Sequence, residues 1–221
     1  MLLEILVARL IDYLNFVLLE NLSSLVGLPE FCASRKPSSS VGWLVKLSPC
    51  CVPFILSEHL DTIFYYMRKK AKYEPNIVVK FTTTDFVFRN KIDALYHDFV
   101  ENGKDFSAIP EKHEVEEYIR GFYYDANVPL NKVGYVLFPV YVPQEKLELG
   151  HWILGVFDFT DWSIYVYDSN CTRRGDKVVQ KVMLPCQTLI YFLKKVNFYL
   201  EKGIVKSKND TLPIKMVDEL P

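Results

Sequence analysis

Gly150-His151-Trp152-Ile153-Leu154-Gly155-Val156-Phe157-Asp158, then Phe159-Thr160-Asp161-Trp162-Ser163, then Ile164-Tyr165-Val166-Tyr167-Asp168-Ser169, is the stretch on which the fold turns. Two runs rich in Val, Ile, Tyr, Phe and Trp flank a short polar interruption, which is the composition and spacing of a β-hairpin. Side chains alternate between faces along a strand. A tight turn near Phe159 to Asp161 therefore sets odd positions of the first strand beside even positions of the second. That parity puts His151 and Asp168 on one face near the open end of the hairpin. A carboxylate beside an imidazole holds it in one tautomer and stabilises its positive form, which suits the ring to take a proton from a nucleophile. The plainer alternative stays open at this level, because a His opening a strand is often a hydrogen-bonded structural residue and Asp-Ser is a common turn starter.

Working outward, Ser57 is expected to cap a helix through about Lys72, with Leu60, Ile63, Phe64 and Met67 at helical spacing. Thr83-Thr84-Asp85 precedes a second helix from Phe86 to Glu101, and Glu111 to Gly121 is a third candidate. Tyr135 to Tyr141 reads as a strand ending at Pro143. Val178 to Gly203 is long and apolar and reads as helix, with Pro185 as a start, kink or break. Helices, then strands, then helix favour an α+β arrangement. No internal repeat or low-complexity tract is visible.

The segments Val136-Leu137-Phe138-Pro139-Val140, His151-Trp152-Ile153-Leu154-Gly155-Val156 and Ile164-Tyr165-Val166-Tyr167-Asp168-Ser169 resemble the core of the ubiquitin-like-protease family, which contains the SUMO-specific cysteine peptidases. Leu56-Ser57-Glu58-His59-Leu60-Asp61-Thr62-Ile63-Phe64-Tyr65-Tyr66-Met67-Arg68-Lys69-Lys70 resembles that family's opening helix, and the chain looks most like the plant branch. The resemblance runs from about Phe54 to Pro221. It implies a central mixed sheet flanked by helices, with His151 as general base and Asp168 as its orienting acid. It further implies that Trp152, beside the base, forms one lid over the flat tail of a ubiquitin-like modifier, the other lid falling at Phe54-Ile55. The implied partner is a SUMO-like modifier or its conjugates, and no cofactor is implied.

In that family a Gln supplying an oxyanion donor, and then a Cys in Asp-Cys-Gly, follow the Asp. Lys215-Met216-Val217-Asp218-Glu219-Leu220-Pro221 looks like the approach to the Gln, so the resemblance implies a domain whose C-terminal part is missing. Without the thiol there is no nucleophile to form an acyl intermediate. Three readings stay open: a peptidase continued beyond these residues, a non-catalytic module that holds a modifier tail, and a non-functional remnant. Of the cysteines present, Cys171 follows Asp168 closely. Cys186 in Leu184-Pro185-Cys186-Gln187 reverses the family order and precedes apolar Leu189 to Leu193, so it is expected to be a buried, inert thiol.

The 221 residues suit one substantial domain, and 50% apolar with 14% aromatic residues is ample for its core. A balance of 26 basic against 27 acidic side chains gives a net charge of −1, so no broad attraction to nucleic acid or anionic membrane is expected. Five cysteines, an odd number without zinc-ligand spacing, indicate no structural metal and a reducing intracellular compartment, with nucleus and cytoplasm undistinguished. Residues 1–52 are expected to be an N-terminal extension and linker before a peptidase domain at 53–221. Met1 to Leu28 is apolar, but Glu4, Arg9, Asp12 and Glu20 interrupt it, which argues against a membrane span or a signal peptide.

Overall fold

Both parity and chain order are realised in a computed structural model that describes residues 52–73, 80–105, 107, 110, 112–121, 128–143, 151–168, 176–203 and 212–217. Five strands lie side by side in the order of the chain: β1 (Phe81–Thr83), β2 (Tyr135–Val142), β3 (His151–Asp158), β4 (Ser163–Tyr167) and β5 (Ile214–Val217). The middle three are antiparallel neighbours, whereas β1 runs parallel to β2 and β5 parallel to β4. The sheet is therefore mixed, and the fold is α+β with helices on both faces.

Parallel neighbours need crossover connections, and the helices supply them. Helix α1 (Val52–Tyr73) precedes the sheet. Helices α2 (Phe86–Glu101) and α3 (Val115–Arg120) lie between β1 and β2; α4 (Asp176–Met183), α5 (Leu189–Lys195) and α6 (Phe198–Lys202) lie between β4 and β5. Both crossovers step in the same direction between strands of the same sense, so the common right-handed rule sends both to one face. Phe88, Ile92 and Leu95 of α2 and Ile190, Phe192 and Leu193 of α5 accordingly share one core with Val136, Phe138, Ile153, Phe157, Ile164 and Val166. Leu60 and Phe64 of α1 cover the other face with Leu137, Trp152, Leu154 and Val156.

Local chemistry explains most boundaries. Asp85 caps α2 by accepting the Phe88 N–H at 2.7 Å, and its carboxylate also accepts the Tyr118 hydroxyl at 2.9 Å. Gly121 ends α3 at φ 76°, a left-handed position that suits glycine. The hairpin turn is wound about Asp158, whose Oδ1 accepts the N–H groups of Thr160 and Asp161 at 2.8 and 3.1 Å. Pro139 sits in β2 opposite Leu154, beyond the three residues that β1 covers. Among the described residues that side of β2 is an edge there, where a missing N–H costs no ladder bond.

Several expected boundaries move. Helix α1 starts at Val52, so Ser57 lies inside it and is not the cap. The third helix is shorter than Glu111 to Gly121, spanning Val115–Arg120. The expected helix from Val178 to Gly203 is divided: Pro185 opens a 3-10 segment at Leu184–Thr188, and Asn197 at φ 58° separates α5 from α6. The expected N-terminal extension lies outside the described residues apart from the backbone of Val52. Among the described residues no helix is long and apolar enough to cross a membrane.

Candidate active site

β3 and β4 pair in the register Leu154 with Tyr167, Val156 with Tyr165 and Asp158 with Ser163. One step further, Asp168 stands opposite Ile153, two residues from His151 and on the same face. Diagonal neighbours on one face are within reach of long side chains. The carboxylate covers that gap: His151 Nε2 lies 3.0 Å from Asp168 Oδ1 and 3.1 Å from Oδ2. Hairpin parity thus brings together the two residues that the sequence pairs.

The contact is sheltered, with the His151 side chain 22% exposed and Asp168 9%. A carboxylate only accepts, so Nε2 carries the proton and donates it to Asp168, and Nδ1 keeps an open lone pair when the ring is neutral. Nδ1 is buried and has no hydrogen-bond partner among the described residues. The ring nitrogen opposite the carboxylate is therefore available to take a proton.

Trp152 follows the base but, by alternation, faces the other side of the sheet, where it is 6% exposed. Its indole packs edge-on against Phe86 at 5.4 Å and tilted against Tyr141, its register partner in β2, also at 5.4 Å. The indole Nε1 is buried without a hydrogen-bond partner among the described residues. Tyr141 could have been found from the sequence once β2 and β3 were paired; Phe86 could not, because it arrives from a helix. The backbone of Phe54 and Ile55 lies in the first turn of α1.

Cys186 is the free cysteine among the described residues, and it is fully buried. Burial pushes its thiol up to about 11; Arg89 pulls it down and Asp93 pushes it up, both by less. It is protonated at neutral pH and packed in the core beneath α2. Cys171 lies outside the described residues. No group of His, Cys, Asp or Glu that could hold a metal is present among the described residues.

The profile of the Ulp1 protease family, C-terminal catalytic domain, matches residues 54–219. Among solved structures, the chain is similar to the X-ray structure of the C-terminal Ulp1 protease domain in complex with Smt3, the yeast ortholog of SUMO. Identity is 16% and the TM-score 0.33, over 70% of this chain and 53% of that one. It is also similar to the SUMO protease Ulp1 with its catalytic cysteine oxidized to a sulfinic acid, at 16% identity and TM-score 0.31, over 71% of this chain and 54% of that one. The chain thus spans about half the length of these structures. No curated protein matches it. With most of its length, including the His151–Asp168 pair, inside the matched span, the chain belongs to the Ulp1 protease family.

Proposed function

We propose that this chain carries the general base and orienting acid of a cysteine-type peptidase that processes or deconjugates ubiquitin-like modifiers of the SUMO kind. The observation that carries the reading is His151, held through Nε2 by Asp168 with Nδ1 sheltered and open, within a span matched by the Ulp1 family profile. In this reading His151 Nδ1 takes the proton of a cysteine thiol. The thiolate then attacks the carbonyl carbon of the modifier's last residue, the C–N bond to the group beyond it breaks, and the departing amine receives that proton as the acyl-enzyme forms. General-base help of this kind is typically worth about a hundredfold to ten-thousandfold. Asp168 stabilises the imidazolium in between. Cys186 is not that thiol, being protonated and buried; in the family's order the oxyanion donor and nucleophile follow β5. Trp152 contributes the ring beside which the modifier tail lies. The peptidase domain is assigned to 53–221 and the preceding residues to an extension. The odd number of cysteines, five, supports a reducing, intracellular site of action.

A second reading, tail binding without cleavage, is favoured by the state of Cys186, and the two share one first test. The 221-residue chain is titrated with a SUMO-like modifier ending in its mature tail and with the same modifier lacking the tail. Both readings predict tail-dependent binding that Trp152→Ala abolishes. Equal affinity for the two modifiers, or no binding, would sink both. Cleavage of a C-terminally extended form of that modifier by the gene product as the cell makes it, lost in His151→Ala, favours the peptidase.

A further inference from the structure

Trp152 does not hold its place through the sheet alone. Tyr141 is set beside it by the β2–β3 register, but the ring on its other contact, Phe86, belongs to the first turn of α2. Phe86 is half-buried and meets the indole edge-on, with an interplanar angle of 77°. Its backbone N–H donates to Asp61 Oδ1 of α1 at 3.1 Å, across 25 residues of chain. Two more bonds hold α1 to Thr83, three residues before Phe86. Thr83 Oγ1 donates to the Phe64 carbonyl at 2.7 Å and Arg68 donates to the Thr83 carbonyl at 3.1 Å, while Asp85 caps α2 itself through the N–H of Phe88, three residues on. The start of α2 is therefore fixed against α1, and with it the direction in which Phe86 presents its ring.

We propose that Asp61 and Phe86 are positioning residues for the tail site: Asp61 fixes the first turn of α2, Phe86 fixes the indole of Trp152, and the fixed indole sets the affinity for the modifier tail. The inference rests on the reading of Trp152 given above. Phe86 touches Trp152 and acts through it. An edge-on aromatic pair is worth about 0.5–1.5 kcal/mol beyond its burial, so losing the ring should cost about threefold to tenfold in the affinity that the tail adds.

The test has two readouts. In the unliganded protein the Trp152 indole N–H resonance, assigned with Trp152→Phe, should move in Phe86→Leu and in Asp61→Ala but stay in place in Asp61→Asn, which keeps a side-chain acceptor. Leu preserves apolar burial, so the variant keeps its cooperative unfolding. In titrations, Phe86→Leu should lower affinity for the tailed modifier by about threefold to tenfold and leave affinity for the tail-less modifier unchanged. An indole resonance that ignores Phe86→Leu overturns the proposal whether or not any modifier binds. Tail-dependent binding in the wild type that survives undiminished in Phe86→Leu overturns it while leaving the proposed function standing. Equal loss for both modifiers shows a general structural role and overturns it too. A wild type that ignores the tail overturns the functional reading and this one together.

Discussion

Asp168 reaches His151 diagonally across two antiparallel strands, its two carboxylate oxygens at 3.0 and 3.1 Å from Nε2. The pairing exists because the β3–β4 turn keeps an even–odd register; a turn one residue longer or shorter would put the two on opposite faces. Removing the carboxylate should therefore release the ring without unfolding the sheet. In nitrogen-15 spectra of the neutral wild type, His151 should show a protonated Nε2 and an unprotonated Nδ1. Asp168→Ala should give a mixture of tautomers. A wild-type ring protonated at Nδ1 would contradict the assignment.

Gly155 tests the core beneath that hairpin. It is the register partner of Phe138, and a Cβ added at 155 would lie 2.2 Å from the Phe138 ring, which itself stacks on Phe157 at 4.5 Å. Gly155→Ala should destabilise the protein by about 1–3 kcal/mol through overpacking, measured by denaturant unfolding. A second change, Phe138→Leu, should recover part of that loss. An alanine variant as stable as the wild type would show that the ring is not confined there.

Much of this architecture is legible in residues with a local signal. The hairpin, its parity, the Asp85-led helix from Phe86 to Glu101 and the strand from Tyr135 all follow from periodicity and turn chemistry. β1 and β5 escape such reading because three and four residues are too few to show a period, and their strand character comes from pairing with β2 and β4. β5 is also clipped by side chains: Lys215 donates to Asp161 Oδ2 at 2.5 Å, and Tyr165 donates to the same oxygen at 2.6 Å. The helix expected from Val178 to Gly203 is cut twice because Pro185 lacks an N–H and Asn197 accepts a left-handed conformation. Of the site, His151 and Asp168 were readable from parity, whereas the Phe86–Trp152 contact needed the helix to be docked.

Cys186 separates a core thiol from a reactive one. With its thiol pushed up to about 11 and fully buried, it should resist a thiol reagent such as an aromatic disulfide at pH 7.5 in the folded protein. It should react once the chain is unfolded in guanidinium. Mass mapping of the labelled residue checks this directly. Rapid native labelling at Cys186 would reopen it as a nucleophile.

His113 gives the stability curve a pH dependence. Burial holds its imidazolium back and Lys91 adds to that, while Asp98 pulls the other way; its Nδ1 accepts the Val115 N–H at the start of α3, and its ring lies against Phe192. Its folded-state value is lowered, so the unfolded chain binds the proton first. The stabilisation is present above the ordinary histidine value of 6.5 and is lost as pH falls below it. The melting temperature should drop between pH 7 and 5.5, and His113→Gln should flatten that slope. A variant whose slope matches the wild type would assign the dependence elsewhere.

The most direct measurement is labelling of the gene product, as the cell makes it, with a SUMO-like modifier bearing a C-terminal vinyl sulfone, in wild type and His151→Ala. The account predicts a covalent adduct at a cysteine other than Cys186 in the wild type and its loss in the variant. No adduct in the wild type, or labelling undiminished without His151, would contradict the assignment of His151 as the base of a modifier peptidase.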